Sequence, residues 1–173
     1  MTMSGLTDRQ IREVLPQLRR FALWLTRNPA GADDLVQSGL EKALTAYAAL
    51  QHEDNLRVWL FSILYRQFID GERRKKRYLR LLSLFKSEEE YAASPEDLAL
   101  TDGVLAGFAS LPSDQRAILL LVAVEGLRYK EVAEALDIPL GTVMSRLSRA
   151  RRQLHDLAEG TAAPVNPSLR RLK

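Results

Sequence analysis

The sequence predicts an all-α protein: two small helical domains joined by a flexible acidic linker, the second domain carrying a helix-turn-helix. Three observations carry this. No stretch alternates apolar and polar residues as a strand would, whereas apolar residues recur at spacings of three and four in both halves of the chain. Between about Leu79 and Ala93 that periodicity fades and the charge flips from basic to acidic. Finally, a short helical pattern from Tyr129, a tight Asp137-Ile138-Pro139 turn and a basic helical stretch follow in succession. The predicted boundaries are 9–78 for the first domain, 79–93 for the linker, 94–160 for the second domain and 161–173 for a disordered tail.

Each element has a local reason. In the first segment Ile11, Val14, Leu15, Leu18, Phe21, Ala22 and Leu25 keep helical spacing, and Pro16 predicts a bend that makes it a helix pair. From Ala32 to about Leu50, Val36, Leu40, Ala43, Leu44 and Tyr47 share one face, while Asp34, Gln37, Ser38 and Glu41 share the other. Asp33 and Asp34 suit the positive end of that helix. After a polar loop at Gln51 to Asn55, Leu56, Trp59, Leu60, Ile63, Leu64 and Phe68 are expected to face inward. That helix runs out through Arg73-Arg74-Lys75-Lys76-Arg77, where cations suit a helix C-terminus. In the second domain Ser94-Pro95-Glu96-Asp97 is a strong helix start, Leu111-Pro112 a breaker, and Ser113 to Glu125 a helix stopped at Gly126.

On the last helix Val143, Leu147, Ala150 and Leu154 form one apolar stripe, with Ser145, Ser148, Arg149 and Arg152 opposite and Met144 at the margin. One face packs; the other is free to enter a major groove. The net charge of +3 conceals basic clusters at Arg66 to Arg80 and at Arg146 to Arg152, set against acids at Glu88-Glu89-Glu90 and Glu96-Asp97. Two separate basic sites imply two contacts with a polyanion.

Composition narrows the class. With 46% hydrophobic and 27% charged residues the chain fits a globular protein. It has no cysteine, and His52 and His155 are too few and too far apart for a metal site. No cofactor and no metal is expected. No apolar run approaches the ~20 residues of a membrane span, and the N-terminal stretch lacks a signal peptide's apolar core, so membrane insertion is not expected and the location is expected to be cytoplasmic. Neither a nucleophile-base pair nor a Gly-rich phosphate loop is evident, which argues against an enzyme.

The C-terminal half, through Leu111-Pro112, Arg116, Glu125-Gly126-Leu127, Glu131-Val132-Ala133 and Gly141-Thr142-Val143-Met144-Ser145-Arg146-Leu147, resembles the upstream-promoter-binding domain of bacterial extracytoplasmic-function (ECF) sigma factors. The N-terminal half is similar to the same family's core-binding and promoter-melting domain. Leu15-Pro16-Gln17-Leu18-Arg19-Arg20-Phe21-Ala22, Ala32-Asp33-Asp34-Leu35-Val36-Gln37, Trp59-Leu60 and Ile69-Asp70 with Arg73-Arg74 carry that likeness. The resemblance spans roughly residues 9 to 158, in the family's order.

That resemblance implies core RNA polymerase, promoter DNA and an anti-sigma factor as partners. It implies a polymerase-docking face at Asp34, Gln37 and Glu41. It implies capture and melting of the downstream promoter element by the loop Gln51 to Asn55 and by Phe61, Ser62, Tyr65, Arg66, Arg73 and Arg74, because exposed rings stack on unstacked bases while cations hold the backbone. It implies reading of the upstream element by Met144, Ser145, Ser148, Arg149 and Arg152. Trp59, near the apolar stripe, is expected in the core. Arg66 stands where many members carry Asn, and Met144 where Lys or Arg is common, so a relative's promoter sequence does not transfer. A free-standing regulator and a decoy that sequesters an anti-sigma protein are the alternatives. The segments Asp33 to Gln37 and Ile69-Asp70 speak against the first, and the retained DNA-facing arginines against the second.

Overall fold

A computed structural model describes residues 6–47, 55–85 and 103–160, and among these every regular element is a helix. The chain divides into two compact units between Asp97 and Leu98. The helix start expected at Ser94, the acidic residues of the linker, and the tail at 161–173 lie outside the described residues.

The first unit packs three helices: α1 (Asp8–Thr26), α2 (Pro29–Ala46) and α3 (Leu56–Phe85). Thr7 caps α1 reciprocally with Gln10: its hydroxyl accepts from the Gln10 N–H at 3.3 Å, and its own N–H donates to Gln10 Oε1 at 2.9 Å. The helix runs unbroken through Pro16, correcting the expected helix pair. Pro16 sits on the exposed face, so the lost donor is offset by the buried Val14, Leu18, Phe21, Ala22 and Leu25 on the opposite face. Arg27 then turns left-handed (φ 57°), and Asn28 caps α2 through the Gly31 N–H at 2.8 Å. The Thr26 hydroxyl bonds the carbonyls of both Ala22 and Asn28, closing the corner. Arg19 adds a forked ion pair to Asp33, 3.0 Å at Nε.

Helix α2 buries Ala32, Leu35, Val36, Gly39 and Ala43, followed by Tyr47. Leu44, expected on the inner face, is instead 54% exposed, because the buried stripe is rotated toward the Leu35/Gly39 edge. The helices approach closely at that edge: a Cβ at Gly39 would lie 2.5 Å from Leu64 Cδ1, so any larger residue there requires the buried Leu64 side chain to shift. Phe21 and Phe61 meet edge to face at 5.1 Å in the centre of this core. Helix α3 continues to Phe85, past the boundary expected at residue 78, with Tyr78, Leu81 and Leu84 standing exposed.

The second unit holds α4 (Gly103–Ser110), α5 (Ser113–Leu119), a π-helical turn (Leu120–Val124), α6 (Tyr129–Leu136) and α7 (Leu140–Ala158). The helix expected from Ser113 to Glu125 is therefore α-helical only in its first part; Glu125 N–H then bonds Leu120 O at 2.9 Å, five residues back. Gly126 follows at φ +68°, a left-handed conformation that ends the segment where the sequence placed the stop. Buried Arg116 donates to the carbonyls of Ala109 (3.0 Å) and Leu111 (2.8 Å), fixing the α4–α5 elbow. Val132, Ala135, Leu136, Val143, Leu147 and Ala150 fill the space beneath the helix-turn-helix.

Candidate nucleic-acid interface

The turn between α6 and α7 is short and specified. Asp137 adopts the left-handed conformation (φ 54°), and Ile138 N–H bonds the Ala133 carbonyl at 3.0 Å. Glu131 steadies the other end of α6 by accepting the Arg128 N–H at 2.7 Å. Helix α7 packs through Val143, Leu147 and Ala150, with Leu154 half-buried against α4. Ser145, Ser148, Arg149 and Arg152 are all exposed on the opposite side, with Met144 exposed at the edge, as the apolar spacing predicts. The Ser145 hydroxyl donates to Thr142 O at 3.2 Å, leaving its lone pairs free to accept. Neither Arg149 nor Arg152 makes an ion pair among the described residues, so both charges are free for phosphate.

The first unit offers a different surface. Asp34, Gln37 and Glu41 are exposed along one side of α2, with Gln37 Nε2 donating to Glu41 at 3.2 Å. Arg66, Arg73 and Arg74 are exposed on α3. An open groove of about 1100 Å³ lies between the two helices, and its walls bring Glu41 and Lys42 of α2 opposite Arg73, Arg74, Arg77 and Arg80 of α3. Hydrogen bonds between Ser38 and Gln67, including Gln67 Nε2 to Ser38 O at 3.0 Å, tie the two helices on this side. Glu41 on one wall and Arg73 and Arg74 on the other, which the sequence assigns to different partners, thus share one concavity.

Three site residues are not where the sequence places them. Phe61, Ser62 and Tyr65 were expected on the outer side of α3, and all three are buried, Phe61 completely. Helix α3 contacts both α1 and α2 at this level. Its buried arc, running through Val58, Leu60, Phe61, Ser62, Leu64, Tyr65 and Phe68, covers more than half of the helix circumference. A one-stripe wheel underestimates such a helix. The Ser62 hydroxyl is satisfied internally by Trp59 O at 2.7 Å. Trp59 itself is half-buried, its ring 6.2 Å from that of Tyr47. The loop residues 51–54 lie outside the described residues.

Arg146 carries a role that no periodicity signalled. Half-buried at the α7 margin opposite Met144, it bonds Asp114 of α5, Nη1 to Oδ2, at 3.2 Å. Among the described residues no group of acidic and imidazole side chains could hold a metal ion, and no helix is long and apolar enough to cross a membrane.

A helix-turn-helix with exposed arginines, in a chain whose other unit presents an acidic face and a groove lined by arginines, fits a two-module DNA-binding transcription protein. Comparison with known proteins gives the family. Residues 104–154 match the sigma-70 region 4 model, and residues 11–65 match the sigma2 domain of PhyR. The ECF RNA polymerase sigma factor EcfG of Rhodopseudomonas palustris is 35% identical over 155 residues, covering 85% of this chain and 82% of its own length. The sigma factor RpoE of Bartonella quintana, solved in complex with the anti-sigma factor NepR, has a similar structure: TM-score 0.72, 32% identity, over 88% of this chain and 96% of that one. The anti-anti-sigma factor PhyR of Bartonella quintana, at 20% identity and TM-score 0.56 over 85% of this chain and 48% of its own, shares the fold. The chain belongs to the ECF family of RNA polymerase sigma factors. It acts with core RNA polymerase in promoter recognition and transcription initiation, and sigma factors are regulatory rather than enzymatic proteins.

Proposed function

We propose that the two units divide promoter recognition as follows. Helix α7 enters the major groove of the upstream element, with Met144, Ser145 and Ser148 against base edges and Arg149 and Arg152 on phosphates. The observation that supports this best is the exposure of all five, four on the face opposite the Val143/Leu147/Ala150 stripe and Met144 at its edge. In the first unit Asp34, Gln37 and Glu41 dock core polymerase, while Arg66, Arg73 and Arg74 hold the DNA backbone near the downstream element. Burial of Phe61, Ser62 and Tyr65 assigns them to the core, so base capture falls to other groups. Half-buried Trp59 and the polar loop preceding α3 are the nearest sequence neighbours with suitable chemistry.

The protein works in the cytoplasm as a specificity subunit without chemistry of its own, held by an anti-sigma factor as its relative RpoE is by NepR. Alone it binds promoters weakly; bound to polymerase, its two contacts become intramolecular and reinforce one another. In vitro transcription with core polymerase tests this. Charge reversal at Asp34 and Glu41 is expected to abolish specific transcripts while both units stay folded. Sequence-specific footprints by the purified protein alone, indifferent to those reversals, would replace this reading with a free-standing regulator.

A further inference from the structure

The DNA-facing side of α7 has two margins, and they are built differently. At one, Met144 is 54% exposed. At the other, Arg146 is turned back to the scaffold, its side chain 32% exposed and bonded to an Asp114 carboxylate that is itself 33% exposed. Asp114 is fixed. It lies in the first turn of α5, where the helix dipole favours a carboxylate, and its second oxygen accepts the Gln115 N–H at 2.9 Å. The next residue but one, Arg116, anchors α5 to the α4 elbow through two carbonyls. Helix α7 packs on α4, α5 and α6, and the stripe beneath it, Val143, Leu147 and Ala150, consists of aliphatic side chains whose attraction has no preferred direction, so the Arg146–Asp114 bond adds a directional restraint on its rotation. A roll of ~10° would carry side-chain tips, ~5–6 Å from the axis, by about 1 Å. That is enough to spoil hydrogen bonds to bases.

We propose that Asp114 and Arg146 are a positioning pair for promoter reading: the acid on the scaffold fixes the rotation of α7 and withholds the Arg146 charge from phosphate. This rests on α7 lying in the major groove. The two arginines that face DNA and the one that faces protein therefore differ in function, although all three belong to one basic cluster.

The test uses the full chain with core polymerase on a promoter library randomised in the upstream element, at several salt concentrations. Arg146→Gln is expected to flatten the ranking of upstream elements by about tenfold, roughly one base pair of discrimination, with the salt slope unchanged. Asp114→Asn is expected to flatten it likewise while raising the salt slope by about 0.9, because the freed guanidinium reaches a phosphate. Arg146→Lys, which retains a cation for Asp114, is expected to restore most of the ranking. The pair's role is overturned if Arg146→Gln lowers the slope by about 0.9, which would make Arg146 a phosphate contact. It is equally overturned if Arg146→Gln shifts only the melting temperature and the ranking stays intact. Arg152→Ala is the control: if it too leaves the slope untouched, the placement of α7 in the groove is what fails.

Discussion

Helices α3 and α7 are both long and both rich in arginine, yet they occupy their units in opposite ways. Helix α7 rests on its neighbours through one aliphatic stripe and turns a broad polar face outward. The first part of α3 is wedged between α1 and α2, burying aromatic and polar residues alike, and its C-terminal turns bear cations with exposed Tyr78, Leu81 and Leu84. Helix α7 thus keeps exposed cations and packing on separate faces, whereas α3 separates them along its length. An aromatic residue near a basic cluster is a DNA contact only if the helix has a spare face at that height.

The largest expected effect tests that division directly. Phe61→Ala removes a completely buried ring from its edge-to-face partner Phe21 and should destabilise the first unit by ~3–5 kcal/mol, read by thermal or urea denaturation. Unchanged stability together with lost promoter opening would return Phe61 to the DNA surface and erase the contrast with α7. Next, Gly39→Ala should cost about 1–3 kcal/mol, since the new methyl meets Leu64 and overpacking outweighs the gain in helix propensity. Gly71→Ala on α3 has nothing within 4 Å of the added Cβ and should instead stabilise by up to about 1 kcal/mol. Opposite signs for these two glycines would place the edge of the wedged section of α3 between the Leu64 and Gly71 levels. The smallest effect concerns α7: Met144→Arg should leave stability within about 0.5 kcal/mol, because the side chain is exposed, but re-rank a randomised upstream element. An unchanged ranking would remove Met144 from the reading face.

Much of this architecture is legible in the sequence because it is written in short-range terms. The Val143, Leu147, Ala150 stripe, the stop at Gly126 and the turn at Asp137-Ile138-Pro139 all follow from spacing or from backbone preferences within a few residues. Asp34, Gln37 and Glu41 are likewise exposed as their spacing implies. What escaped depends on partners far away in the chain. Whether Phe61 or Leu44 is buried is decided by where other helices press on α3 and α2, and the close approach at Gly39 involves Leu64, 25 residues away. Arg146 reads as one more cation in a run, since its acid lies on another helix. The unbroken α1 shows the same limit, a local breaker overridden by a packed face. The π-helical turn at Leu120–Val124 has no signal in a pattern of three and four.

The corner between α1 and α2 has a consequence in time as well as in space. Thr26, Arg27 and Asn28 end one helix and start the next within three residues, and the Thr26 hydroxyl links both sides of the turn. Closing so short a loop costs little chain entropy. The α1–α2 hairpin therefore needs only contacts near in sequence, the kind that form fastest. During synthesis at ~5–20 residues per second these two helices leave the ribosome seconds before the C-terminal end of α3. The hairpin can assemble first and present the seat, with Gly39 at its centre, into which Phe61 and Leu64 then settle. The order of emergence along the chain thereby matches the order in which the core can be built.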